Sequence, residues 1–285
     1  MAIRLGAHRY GKAETRVVRV VRDGARHELT DLAVSIALAG ALEDTHLTGD
    51  NSRVLPTDSQ KNTVYAFARE YGIGQIEDFG LLLARHFVDT QPAISQARVR
   101  IEQYGWQRLG DHSFQRDGGP VRTASLTYDG QRAWAVSGLT DLTLLNSTGS
   151  EFRGFVKDRY TTLPETDDRI LATAVTAQWR HRTAAGNWPE SYRQTLRLLV
   201  EAFADTYSRS LQQSLYAMGQ RVLAARPELV EVRLALPNRH HLLVDLAPFG
   251  LDNPDEVYFA ADRPYGLIEG TVLRDDAPPA GPAWW

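Results

Sequence analysis

The chain is 285 residues long, with 43% hydrophobic and 24% charged residues and a formal net charge of −3: a globular composition, with length for two domains or one large one. A balance this close to neutral gives no electrostatic case for nucleic acid or an anionic membrane, and no run approaches the roughly 18 apolar residues of a membrane span. There is no cysteine, which removes disulfides, thiolate nucleophiles, iron–sulfur clusters and cysteine-bound zinc together.

Val17, Val18, Val20 and Val21 predict a strand whose wet face carries Arg16, Arg19 and Arg22. Asp31 to Leu38 alternates with period 2 and reads as its hairpin partner, joined through Asp23-Gly24. Gly40 to Arg53 is polar and loop-like. Next comes Val54-Leu55-Pro56-Thr57-Asp58-Ser59, in which Pro56 biases Leu55 toward extended geometry and Asp58 and Ser59 are N-cap candidates. The helix they open carries Val64, Phe67, Ala68 and Tyr71 on one stripe. Its start is either an ordinary cap or a terminus able to hold an anion or polar ligand. Gly72 and Gly74 break the pattern before a second helix with Ile76, Phe79, Leu83 and Phe87. Strands are then expected around Val99 and Ile101, at Arg122–Tyr128 and at Arg132–Val136.

The second half repeats this order. Leu142 and Leu144, then Leu171–Trp179, read as strands; Pro189 opens a long helical region that Pro227 ends. Val230, Val232, Leu234 and Leu236 alternate as a strand, and Val257–Phe259 and Leu267–Leu273 supply two more. The pattern is ββααββ twice, an α+β architecture with antiparallel strands on one layer and helices on the other. The boundary falls near Ser137-Gly138, giving modules 1–138 and 139–285, with a proline-containing tail from about 275 expected to be loosely ordered except where Trp284-Trp285 docks. Open antiparallel edges favour oligomerisation.

Chemistry is sparse at the level of single residues. His240 and His241 follow Leu236-Pro237-Asn238-Arg239, read as a turn just past a strand end, and adjacent histidines cannot share one face of a strand. No metal-ligand spacing, phosphate loop or nucleophile elbow is present. Ser147-Thr148-Gly149-Ser150-Glu151-Phe152 reads as a turn followed by an aromatic anchor. Arg169 stands at the mouth of a strand, where it is either a solvated or salt-bridged residue or a fork for a planar ligand. Gln212 lies in the helical region, where the ordinary reading is a helix surface.

Taken together and in order, several segments resemble urate oxidase (uricase). They are Tyr10-Gly11-Lys12 with Arg16-Val17; Thr57-Asp58-Ser59 with Lys61-Asn62-Thr63; and Val136-Ser137-Gly138-Leu139. More specific are Phe152-Arg153-Gly154-Phe155, Tyr160-Thr161-Thr162-Leu163, Asp168-Arg169-Ile170-Leu171 and Leu236-Pro237-Asn238-Arg239-His240. The resemblance implies tandem tunnelling-fold (T-fold) modules, each ββααββ, in a homotetramer that encloses a tunnel and has active sites at subunit interfaces. It implies oxidation of urate by O2 and water to 5-hydroxyisourate and hydrogen peroxide in purine catabolism, with no metal and no organic cofactor.

The roles implied for matching positions are as follows. Arg169 would pair with the anionic edge of urate, Gln212 with the opposite edge through its amide, and Phe152 would stack under the ring. Leu211 would add a backbone contact. Lys12, Thr57 and His240 would form a proton relay; Asn238 and Thr57 would hold water or O2, and Asp58 stands beside Thr57 among the substrate-binding residues. The Ala283-Trp284-Trp285 end differs from the peroxisomal address common in eukaryotic members. With an N-terminus lacking a signal-peptide apolar region, this leads to the expectation of a bacterial-type cytoplasmic enzyme. Arg239 stands where a lysine is often found and keeps the charge. The competing reading is a T-fold protein that binds a purine or pterin without turning it over, for which the relay would have no use.

Overall fold

The computed structural model describes residues 3–285. Two compact units emerge: one takes the chain up to Gly138 together with Trp179–Ser191 and Ala277–Trp285, the other comprises Leu139–Gln178 and Tyr192–Asp276.

In the first unit, β1 (Thr15–Val21) and β2 (Glu28–Gly40) form the expected hairpin, with Val17 opposite Leu32 and Val21 opposite Glu28. The connection that follows holds a five-residue helix, α1 (Glu43–Leu47), where only loop was expected. Then come α2 (Thr57–Glu70) and α3 (Ile76–Thr90). β3 (Ile94–Tyr104) pairs antiparallel with β2. A small hairpin of β4 (Trp106–Arg108) and β5 (Phe114–Arg116), missed in the sequence because each strand is three residues long, precedes β6 (Val121–Tyr128). β6 pairs antiparallel with β3.

Alternation along the strands sets the faces. Leu32, Val34, Ile36 and Leu38 of β2 and Ala97, Val99 and Ile101 of β3 are buried against Ile76, Phe79, Leu83 and Phe87 of α3 in one core. Burying each large side chain stabilises by about 1.5–3 kcal/mol. Gly80 sits inside α3 because a β-carbon there would lie 2.8 Å from the Leu126 side chain. The roughly 1 kcal/mol helix penalty of glycine is offset by this close approach to the sheet.

Where two separate strands were expected at Arg132–Val136 and around Leu142–Leu144, a single strand, β7 (Ala133–Asn146), runs through Ser137-Gly138. The module boundary was expected near Ser137-Gly138, but the Ser137 hydroxyl is satisfied inside: Oγ donates to Glu77 Oε1 at 2.7 Å and lies 2.9 Å from His181 Nε2. A polar residue with buried partners does not end a strand. The chain end adds a 3-10 turn at Gly281–Trp284; Pro278 O accepts from Arg180 Nη2 at 3.0 Å, and Arg9 and Arg98 lie over the Trp285 ring.

The second unit is built on most of β8 (Leu171–His181) and of α4 (Trp188–Asp205), with α5 (Leu211–Ala225), β9 (Leu229–Leu243) and β10 (Tyr258–Leu273). β9 and β10 pair antiparallel, Leu236 opposite Ile268, and α5 packs on both. Its buried Leu211, Leu215, Met218 and Val222 and the strand's Val232, Leu234 and Leu236 supply the apolar surface. Asn238 to His240, expected in a turn past a strand end, instead lie within β9, because β10 continues to pair with that stretch. The ββααββ order therefore holds twice: β1-β2-α2-α3-β3-β6, then β7-β8-α4-α5-β9-β10. Among the described residues no helix is long and apolar enough to cross a membrane.

Candidate active site

Three of the nine expected site residues, Lys12, Thr57 and Asp58, fall in the first unit. Tyr10 makes an isolated antiparallel bridge to Leu38, and Lys12 O accepts the Ile36 amide at 2.8 Å, so this segment is laid along β2. Gly11 is required between them: a β-carbon would sit 1.8 Å from Ile36 O. Tyr10 OH donates to Leu55 O at 3.0 Å, and Gln60 Nε2 reaches the same carbonyl at 3.4 Å. Burial pushes the Tyr10 hydroxyl's pKa up.

Pro56, φ −53° and ψ 141°, is the N-cap residue, so α2 begins at Thr57. Asp58 and Ser59 therefore lie in the first turn and do not cap it. Asp58 instead holds Lys61 Nζ at 2.5 Å and Asn62 Nδ2 at 3.0 Å. Its carboxyl is held below the usual range, first by the Lys61 hydrogen bond and charge, with a smaller contribution from the charge of Lys12. Lys12 and Thr57 are half-buried.

The other six residues fall in the second unit. The 147–170 connection is stapled by Asp168, which accepts from Thr148 Oγ1 at 2.6 Å and from Gly149 N at 2.9 Å. These bonds, that of Thr148 foremost, hold its carboxyl below the usual range against the opposing effect of burial. Phe152 bridges Thr166 through paired backbone hydrogen bonds of 2.9 and 3.2 Å. The Arg169 Cζ lies 5.1 Å from the Phe152 ring centroid, and Arg169 Nε donates to Ser150 Oγ at 3.3 Å. Phe155 stacks on Phe152 at 4.9 Å and 14°. Burial lowers the Arg169 pKa. Among the described residues no carboxylate forms an ion pair with it.

The same connection is tied to the start of α5. Glu151 N donates to Ser208 O at 2.8 Å and Ser208 N to Gly149 O at 2.9 Å. Ser210 caps α5 by accepting the Gln213 amide, while Gln213 Oε1 accepts from Arg209 N at 2.8 Å. Leu211 is buried and Gln212 exposed, and their amides belong to the helix turn that has no intrahelical acceptor. Phe152, Arg169 and the Leu211–Gln212 turn are thus connected by hydrogen bonds. Asn238 and His240 share one side of β9, opposite Gly266 and Ala261 of β10 across a register irregularity. Neither hydrogen-bonds to Phe152, Arg169 or Gln212.

Chemically, the second-unit set offers a partly dehydrated guanidinium fork, an aromatic face and unfilled amide donors, which suit a flat anionic ring. The first-unit set offers an ammonium and a hydroxyl. Among the described residues no group of three histidine, aspartate or glutamate side chains could hold a metal.

The Uricase family model matches residues 8–127 and 135–269. The chain belongs to the uricase family. It is 49% identical over 282 residues to the uricase of Arthrobacter globiformis, covering 98% of this chain and 93% of that one. It is 36% identical over 277 residues to the uricase of Dictyostelium discoideum, covering 94% and 96%. The crystal structure of uricase from Arthrobacter globiformis matches with a TM-score of 0.96 at 49% identity, covering 100% of this chain and 99% of that one. Urate oxidase from Bacillus sp. TB-90 matches at 0.82 and 25% identity, covering 94% and 100%. The tandem T-fold architecture of uricases is thus the fold of this chain.

Four residues beyond those expected brace the candidate residues: Tyr10 and Gln60 behind the Leu55 carbonyl, Asp168 behind the 147–170 turn, and Ser150 behind Arg169. Asp168 and Ser150 had a signal, an acid beside the arginine and a Ser-Thr-Gly-Ser run before the aromatic. Gln60 had none, since its burial depends on tertiary packing.

Proposed function

We propose that this chain oxidises urate with O2 and water to 5-hydroxyisourate and hydrogen peroxide, as a cytoplasmic step of purine catabolism. Membership of the uricase family carries this reading, and the half-buried guanidinium of Arg169 over Phe152, with no ion-pair partner among the described residues, is what supports it chemically. Urate gives up two electrons, O2 takes them with two protons to become hydrogen peroxide, and water supplies the new hydroxyl oxygen of the product.

Arg169 pairs with the anionic edge of urate, Gln212 with the opposite edge, the Leu211 amide adds a donor, and Phe152 stacks beneath the ring. Thr57, with Asp58 beside it, and Asn238 hold the ring and the water or O2 above it. Lys12 lowers the cost of deprotonating Thr57 or a bound water, and His240 passes the proton on through its ring nitrogens. A urate dianion is electron-rich enough to reduce O2 directly, so positioning and deprotonation suffice and no step passes through a metal or organic cofactor.

Two T-fold modules, 1–138 and 139–285, make one subunit in this reading. Four subunits assemble around a tunnel, and Lys12, Thr57 and Asp58 of one subunit meet Phe152, Arg169 and Gln212 of a neighbour. An oxygen electrode with urate, with and without chelator, tests the activity: equal rates and stoichiometric peroxide are expected. Purine binding without oxygen uptake would instead make the protein a binder.

A further inference from the structure

Ser150 is fully buried, and its hydroxyl oxygen accepts the Nε–H of Arg169. A guanidinium can meet a planar anion in a paired manner through either of two edges, the Nη1/Nη2 end or the Nε/Nη side. With Nε engaged by Ser150, the end fork is the edge left for a ligand.

Ser150 is itself held in place. Ser208 exchanges backbone hydrogen bonds with Gly149 and Glu151, the residues on either side of it. The Ser208 hydroxyl accepts from Ser214 Oγ at 2.8 Å and donates to Ser210 O at 3.0 Å. Ser208 and Ser214 are also buried. A run of contacts shielded from water thus leads from Arg169 Nε to the first turn of α5, where Leu211 and Gln212 begin the helix. Shielding strengthens each hydrogen bond and makes an unfilled one costly.

We infer that Ser150 is a positioning residue for the ligand site: by occupying Nε it selects the Nη1/Nη2 edge of Arg169, and through Ser208 and Ser214 it fixes the span from that edge to Leu211 and Gln212. The ligand class so selected is a planar anion with two acceptors side by side on one edge. The inference rests on Arg169 being the urate anchor.

Ser150→Ala and Arg169→Lys, alone and combined, test it, using urate turnover and titration with xanthine as the unreactive purine dione. Ser150→Ala raises the KM for urate and the Kd for xanthine about tenfold, as expected for one hydrogen bond to a charged group, with kcat changed by less than about twofold. A lysine has no second edge to select, so in the R169K background adding Ser150→Ala alters kcat/KM by less than about twofold. A merely structural serine would lower Tm and kcat/KM alike in both backgrounds. That result, or an unchanged KM in Ser150→Ala, overturns the inference. If the unaltered protein binds xanthine but consumes no oxygen with urate, the enzymatic reading fails and the xanthine Kd values alone decide on Ser150. If it binds neither purine, both fall.

Discussion

The Tyr10 hydroxyl donates to the Leu55 carbonyl at 3.0 Å, fastening the segment that carries Lys12 to the turn from which Thr57 starts α2. Tyr10→Phe removes that bond and leaves the ring. A loss of about 1 kcal/mol in stability is expected, together with a several-fold fall in kcat because Lys12 and Thr57 are no longer held to one another. Urea denaturation and initial rates check both, and a stability loss with kcat intact would show that the bond serves the fold alone. The raised Tyr10 pKa adds a pH term. The folded state keeps this proton more tightly, so the stabilisation is complete below the unfolded value of about 10 and is lost as pH rises through the folded one.

Lys12→Met removes the ammonium of the proposed relay while leaving the second-unit residues untouched. Turnover should drop by about 100-fold or more, in the range of general acid–base contributions, with the xanthine Kd within about twofold of the unaltered protein. Equal losses in rate and binding would contradict the relay assignment.

Arg169→Ala should do the reverse. Two charge-assisted hydrogen bonds are lost together, which corresponds to roughly 100-fold weaker xanthine binding. Calorimetric titration reads this directly, and a Kd unchanged from the parent would show that the anchor lies elsewhere.

Asp168 gives a prediction on the acid side. Its folded pKa is depressed, so the stapling of Thr148 and Gly149 is complete above the unfolded value of about 3.9 and is lost as pH falls through the folded one. Asp168→Ala should reproduce the acid effect at neutral pH, seen as loosened Gly149 and Ser150 amides in hydrogen exchange and a raised urate KM.

Gly80→Val tests the core. A β-carbon already meets the Leu126 side chain at 2.8 Å, and the added methyl groups overpack the helix–sheet contact, so a loss of 1–3 kcal/mol is expected on roughly the scale of other overpacked cores. A thermal melt no lower than that of the parent would show that α3 can shift away at little cost.

The repeated ββααββ order was legible because alternation in β1, β2, β3 and β9 and the helical stripes of α2, α3 and α5 are strong local signals. The motifs around Arg169 and Phe152 marked both as candidates, and the structure sets the guanidinium over the ring. What escaped was decided by partners distant in sequence. β7 crosses Ser137-Gly138 because Glu77 and His181 meet the serine. Asn238 and His240 lie in a strand because β10 pairs there. Asp58 lost its capping role because Pro56 takes the N-cap position and starts the helix two residues earlier. The local code permits either outcome at each of these places, and only tertiary context chooses.

Arg169 is kept partly dry, and among the described residues no carboxylate forms an ion pair with it, so its burial is an electrostatic cost to the folded chain. Any planar anion that fills the fork relieves it, and because the unfolded chain has no such site, occupancy pulls the folding equilibrium toward the native state by about 2.7 kcal/mol at a hundred times Kd. Heat tolerance of this protein is therefore a property of its solution as much as of its sequence, rising while purine is present and falling as the substrate runs out.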